Sequence, residues 1–336
     1  MTEPDPKPEP TENPSPSVVA PAPPASYLVK PVNADELVAV ARPEEGTAPV
    51  LVTDLASKTL AVKEGETFLY SDLEGNLDHG GDFGLGLYSH DTRYLSHFRM
   101  TVNGRDLVLL SSSAERGYMS HVDLTNPDLY EGDVLRAPQQ TINVRRIRAI
   151  YGHLFERIRI KNYNPTDVTL EIQLRFGADF ADIFDVRGMT HRHSGGSHTP
   201  SVADSVIEFV HEGRDRIRRM TRIRFGVEPD RIDVEDALAT AVFRVHLEPY
   251  QTRLLVVSVE PILGTEDDRA APNFDHAVHE LRRSYEEWER ESTQIVTDNE
   301  LFNQLLDRSL RDLRALYTRV GEGGVLAAGI PWYVTI

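Results

Sequence analysis

Two short stretches carry side chains able to act on a ligand. Residues 81–96 read GDFGLGLYSHDTRYLS. Gly81, Gly84 and Gly86 permit tight backbone geometry, and His90, Asp91, Arg93 and Tyr94 follow. The stretch is no phosphate loop, because it lacks a Gly-Lys-Ser/Thr and no Gly-x-Gly-x-x-Gly opens a helix. On a strand Asp91 and Arg93, two apart, share a face and can form a bound pair. Two uses stand open: ordering a turn over a packed Tyr94, or touching a ligand.

The second stretch, residues 177–198, reads GADFADIFDVRGMTHRHSGGSH. Asp179, Asp182 and Asp185 are spaced by three, so a helical turn projects them on one side, with Arg187 close behind. Carboxylates whose surroundings push their pKa values apart do acid–base work. Such a set also binds metal or sugar hydroxyls, or simply forms a solvated acidic face over Phe180, Ile183 and Phe184. His191, His193 and His198 match no helical zinc pair, and no cysteine assists them, so we assign no metal and no cofactor. Near the C-terminus Trp332 and Tyr333 supply either a sugar-stacking platform or core. There is no Gly-x-Ser-x-Gly elbow and no His-Glu-x-x-His.

These residues need a scaffold, and from about 61 to 262 the texture is β. Val168, Leu170, Ile172 and Leu174 alternate strictly, the mark of a half-buried antiparallel strand. Residues 139–180 continue the pattern, with Phe155, Ile158 and Ile160 set among Glu156, Arg157, Arg159 and Lys161. Residues 97–113, HFRMTVNGRDLVLLSSS, read as a hairpin turning at Asn103-Gly104. Further strands are SVIEFVHEG, RMTRIRFGV, TAVFRVHLEP and TRLLVVSVEP. The expected fold is mainly β, a large antiparallel sandwich over 51–265.

Residues 266–336 change character. Phe274, Val278, Leu281, Tyr285 and Trp288 fall at helical spacing. A second helix follows, with Thr297 and Glu300 as a capping box. Leu301, Leu305, Leu306, Leu310, Leu313, Leu316 and Tyr317 form its apolar face, and Gly321 its end. Two helices cannot close a core alone. Residues 325–336, VLAAGIPWYVTI, read as an element entering a core, so we expect a missing C-terminal domain beyond them. Residues 1–50 read as a Pro-rich, acidic, disordered tail, although APVLVTDL within 27–60 can be a first strand.

A net charge of -17 argues against nucleic acid and an anionic membrane surface. There is no cysteine, no basic-then-apolar leader and no apolar run of ~18–20 residues. The expected location is cytoplasmic.

The order of three segments adds a resemblance. SDLEGNLDHGGDFGLGLYSHDTRYLSHFRMTVNGRDLVLLSS, then HLFERIRIKNYNPTDVTLEIQLRFGADFADIFDVRG, then AAGIPWYVTI together resemble the bacterial glycogen-debranching-enzyme-like (amylo-α-1,6-glucosidase-like) family, over roughly 55–336. The resemblance implies a supersandwich-like N-terminal domain followed by helices that begin an α/α toroid. It implies a glycoside hydrolase acting on α-1,6 links of an α-glucan or oligosaccharide without a cofactor. The catalytic carboxylates are then expected in the toroid, outside this chain, and the chain alone is expected to be inactive. His90, Asp91, Arg93, Asp182, Asp185 and Arg187 become candidates for the rim of a substrate cleft, and Trp332 for its wall. Tyr333 departs from the Phe common at that place in the family. The alternatives are a non-catalytic carbohydrate-binding sandwich and a structural interaction module.

Overall fold

The computed structural model describes residues 58–78, 84–114, 117–188, 198–264, 273–320 and 323–330. The chain divides into two units, Met1–Pro49 and Val50–Ile336, and all described residues lie in the second. The tail and the APVLVTDL strand lie outside the described residues.

The fold is mainly β, and every strand pair is antiparallel. In chain order the first strands are β1 (Thr59–Glu64), β2 (Thr67–Asp72), β3 (Gly86–Ser89), β4 (Thr92–Leu95), β5 (His97–Val102), β6 (Val108–Ser113) and β7 (Met119–Thr125). A small ribbon, β8 (Leu129–Glu131) and β9 (Val134–Ala137), precedes β10 (Ile142–Tyr151), β11 (His153–Asn162) and β12 (Val168–Gly177). After a helical turn, α1 (Ile183–Val186), come β13 (Ser201–Ala203), β14 (Val206–Glu212), β15 (Arg218–Phe225), β16 (Arg231–Glu235), β17 (Leu238–Leu247) and β18 (Thr252–Leu263). An eight-stranded sheet runs β13-β14-β15-β18-β11-β10-β7-β6, and two four-stranded sheets run β1-β2-β3-β4 and β16-β17-β12-β5. Inward side chains of all three merge into one apolar cluster, from Val62 through Leu95, Phe98, Ile150 and Leu174 to Val257. On β12 the alternation places Val168, Leu170, Ile172, Leu174 and Phe176 inside, as a sheet with one solvated face requires.

One strand expectation needs correction. Asn103 and Gly104 do turn with positive φ at 50° and 67°, as a type I′ turn demands. The flanking strands then part. β5 pairs with β12, while β6 pairs with β7 in the other sheet. Asn103 Oδ1 accepts the Glu171 N–H at 2.7 Å, tying the turn to β12 and directing the crossover. The inner face of β11 carries charge: Glu156 is 1% exposed between Arg146 and Arg148, each also 1% exposed. Register explains it. Leu154, Glu156, Ile158 and Ile160 share the inner face, and Arg148 sits opposite Glu156. Both guanidiniums also lie over the Phe98 ring, at 5.2 and 5.0 Å.

The helices α2 (Phe274–Glu291) and α3 (Glu300–Leu316) precede a ribbon of β19 (Tyr317–Val320) and β20 (Gly323–Leu326). Asn299, rather than Thr297, caps α3, its Oδ1 accepting the Phe302 N–H at 3.1 Å. Thr297 acts one step earlier, accepting the Asn299 N–H at 3.2 Å. The expected end at Gly321 is also too late. The helix stops at Leu316 because Tyr317 and Thr318 are drawn into β19, where Thr318 Oγ1 accepts from Lys63 Nζ at 2.8 Å.

Candidate functional site

The two stretches singled out above, 86 residues apart at Arg93 and Asp179, meet at one end of the sandwich. His90 and Asp91 form the turn between β3 and β4, both with positive φ, 46° and 58°, a conformation that side chains of this length tolerate better than branched ones. Backbone bonds then stitch the segments together. Arg93 N–H donates to Ala181 O at 2.9 Å and Ile183 N–H to Asp91 O at 2.8 Å, around a Thr92–Asp182 bridge.

Asp91 and Arg93 do not pair with each other, contrary to expectation. Asp91 sits in the turn, which breaks the strand alternation. The Arg93 guanidinium forks onto Asp179 instead, with Nη2 to Oδ2 at 2.5 Å and Nε to Oδ1 at 3.1 Å. Burial works against the Arg93 charge, but this bond and the Asp179 charge outweigh it and raise its pKa. Gly86 makes room, since a β carbon there would stand 2.5 Å from Arg93 Cδ.

The three aspartates likewise do not share a side, because only Ile183–Val186 is helical. Asp179 holds Arg93. Asp182 caps α1, accepting the Phe184 N–H at 2.8 Å. Asp185 is buried on α1, and Arg187 closes its C-terminal end, its N–H donating to Ile183 O at 3.1 Å. Of the apolar anchor, Phe180 and Ile183 are buried but Phe184 is exposed. His90 lies to one side, with Nε2 2.5 Å from Glu66 Oε2.

Sequence reasoning missed the remaining wall. A cleft of about 230 Å³ is bounded by Thr92, Phe180, Asp182, His211, Asp215 and Arg219. Arg219 forks onto Asp215 at 3.1 and 2.8 Å and reaches Thr92 Oγ1 at 3.3 Å. The Arg219 fork, with the Ile217 N–H, pulls the Asp215 pKa down to about 2. Phe180 stacks on His211 at 5.5 Å, and His198 meets His211 edge-on at 4.7 Å. Burial and then the neighbouring cation, Arg219, lower the His211 pKa; burial and then His211 lower that of His198. Burial, then the Asp182 charge, raises the pKa of Asp91 against the pull of His90. The i,i+4 spacing of Asp215 and Arg219 was the one local signal available.

The cleft therefore offers fixed carboxylates, a guanidinium, an imidazole and an aromatic ring. That set suits a neutral ligand rich in hydroxyls. Among the described residues no three His, Asp or Glu side chains converge as metal ligands. Gly81, His191, His193, Trp332 and Tyr333 lie outside the described residues. No described helix is long and apolar enough to cross a membrane.

Residues 62–258 match the family model described as the N-terminal domain of some glycogen debranching enzymes. A comparison with curated proteins found no match. Among solved structures the fold is similar to that of a chain from the human microbiome assigned as a kojibiose phosphorylase. The TM-score is 0.56 at 9% identity, covering 76% of this chain and 39% of that one. This chain thus spans well under half of that protein, and the likeness concerns the fold alone. A chain of Escherichia coli K12 assigned as an aldose 1-epimerase gives 0.35 at 7% identity over 61% of this chain and 98% of that one. Heparan sulfate lyase HepC from Pedobacter heparinus gives 0.36 at 10% over 62% and 36%.

Proposed function

The chain belongs to the family of N-terminal domains of glycogen debranching enzymes, and from that premise we propose that it is the supporting N-terminal region of a glycoside hydrolase. The enzyme cleaves α-1,6-glucosidic links of α-glucans in the cytoplasm, without a cofactor. Residues 51–265 act as its sandwich domain and 266–336 as the passage into an α/α toroid.

The carrying observation is the family match across the sandwich. The state of the local carboxylates supports it. Glycoside hydrolysis needs one carboxyl group to give a proton and a second to act as base or nucleophile. Here Asp179 is taken by Arg93, Asp215 by Arg219, and Asp182 by the α1 cap. They are suited to holding a rim in shape, so the catalytic pair is assigned to the toroid. The Arg93–Asp179 joint fixes that rim. His90, Asp91, Asp182, Asp185 and Arg187 belong to it, and Trp332 to the wall beyond.

The test is glucose release from a branched limit dextrin. The 336-residue chain is expected to release none, and a polypeptide continued through the downstream reading frame is expected to release it. Release by the chain alone overturns the assignment. Dextrin binding that Asp182→Ala weakens, with no activity in the continued polypeptide, establishes a carbohydrate-binding module instead.

A further inference from the structure

A larger cleft, of about 650 Å³, opens where the β1–β2 turn meets α2, the end of α3 and β19. It shares no lining residue with the cleft at Thr92 and Arg219. We propose that it is a separate binding site for a neutral α-glucan oligosaccharide, an inference that rests on the glucan reading above.

Trp288 and Tyr317 form its aromatic corner, with ring centroids 5.5 Å apart and planes at 44°. The Trp288 indole N–H is already given to Leu310 O at 3.2 Å. That bond sets the ring's orientation and leaves its apolar body to meet the C–H face of a sugar. Gly324 leaves room for the second ring, since a β carbon there would overlap Tyr317. Around this corner stand Glu287, Glu291, Arg314 and Arg319. Arg314 is held by Glu64 Oε1 at 2.8 Å and Ser284 Oγ at 2.7 Å, so it is oriented before any ligand arrives, which limits the ordering cost of binding.

Donors and acceptors of both signs line one small space. A simple ion is served by one sign. Vicinal hydroxyls, each donating and accepting, are served by planar carboxylates and guanidiniums side by side. An aromatic corner beside such groups is the arrangement a pyranose needs, apolar on one face and hydroxylated at its edge.

Trp288 and Trp332 are the chain's two tryptophans. In the Trp332→Phe chain, indole fluorescence therefore reports Trp288 alone. Titration with maltoheptaose is expected to give a saturable change. Arg319→Ala and Glu287→Gln, both at the exposed mouth, are each expected to weaken binding about tenfold without changing Tm. No saturable change, or variants that bind as tightly as the parent, overturns the site. A preference for glucose phosphate over maltoheptaose also overturns it. The two readings fail separately. Glucose release by the continued polypeptide with a silent Trp288 removes this site alone, whereas a responsive Trp288 without glucose release removes the debranching assignment.

Discussion

α2 and α3 are near twins in length, 18 and 17 residues, and both are strongly amphipathic. They differ in what their apolar faces meet. α2 lays Phe274, Ala277, Leu281 and Tyr285 on the outer face of the eight-stranded sheet, against Phe155, Ile147, Ala149 and Tyr118. Arg157 completes that seat, its guanidinium 4.1 Å over the Phe274 ring. α3 buries Arg314 and Ala315 near its end, while Leu301, Phe302, Leu305 and Leu313 are exposed, Leu301 at 76%. Amphipathic helices draw most of their stability from a packed apolar face. α2 has that face within the described residues. α3 presents one to whatever packs on it, which is the toroid in the proposed function.

The sharpest way to break the contrast is to cut into α2. Leu281 is 1% exposed, so Leu281→Ala removes buried methyl groups from a seat that cannot collapse fully. The expected loss is about 2–5 kcal/mol, read as a lower urea midpoint at unchanged slope. A loss under ~0.5 kcal/mol would mean that α2 is no better seated than α3.

Much of this was legible because it is local. The spacing from Phe274 to Trp288 gave α2, and the alternation from Val168 to Leu174 gave β12. The capping of α3 was displaced by two residues, since Thr297 and Asn299 compete for one role. Partners set by tertiary register were not legible. Arg93 has Asp91 two residues away and Asp179 86 residues away, and only the folded sheet decides between them. The same holds for Glu156, whose face follows from strand register rather than from residue type. The turn at Asn103-Gly104 was readable as geometry, but which sheet each arm joins was not.

Next in size is Arg314, the charge buried near the end of α3. Arg314 joins the helix to Glu64 on β1 and to Ser284 on α2. Arg314→Met strips Glu64 of its partner, and a part-buried pair broken on one side is expected to cost about 1–3 kcal/mol. Adding Glu64→Gln should recover part of it, because the stranded charge is then gone. A double variant no more stable than the single one would place the loss in packing and not in charge.

The pH dependence probes the same anchorage from below. Lys63 is buried, and its Nζ donates to Gly65 O at 2.6 Å and to Thr318 Oγ1 just past α3. Burial pulls its pKa down to about 8 from 10.5, against the attraction of Glu64. Between those values the unfolded chain holds the proton that the folded chain has lost. This lysine therefore makes stability rise with pH there, by at most about 1.4 kcal/mol per pH unit. Above pH 10 the sign turns, since burial raises Tyr88 to about 12 and also raises Tyr285, and unfolding then lets them ionise. The expected observation is that Lys63→Met flattens the slope of unfolding free energy between pH 8 and 10. An unchanged slope would assign it to other groups.

The smallest expected effect is on α3 itself, and it is the most telling for function. Leu301 and Leu305 stand in solvent within the described structure, so Leu301→Gln with Leu305→Gln removes little buried area. Surface changes of this kind stay within ~0.5 kcal/mol, against the several expected at Leu281. Binding of an apolar dye should fall, because a contiguous apolar strip has been broken. In the polypeptide continued through the downstream frame, the same pair of substitutions should become costly, lowering Tm as a core substitution does. Equal tolerance in both polypeptides would mean that α3 packs on nothing in the longer protein, and the unlike faces of the two helices would then carry no information about a neighbouring domain.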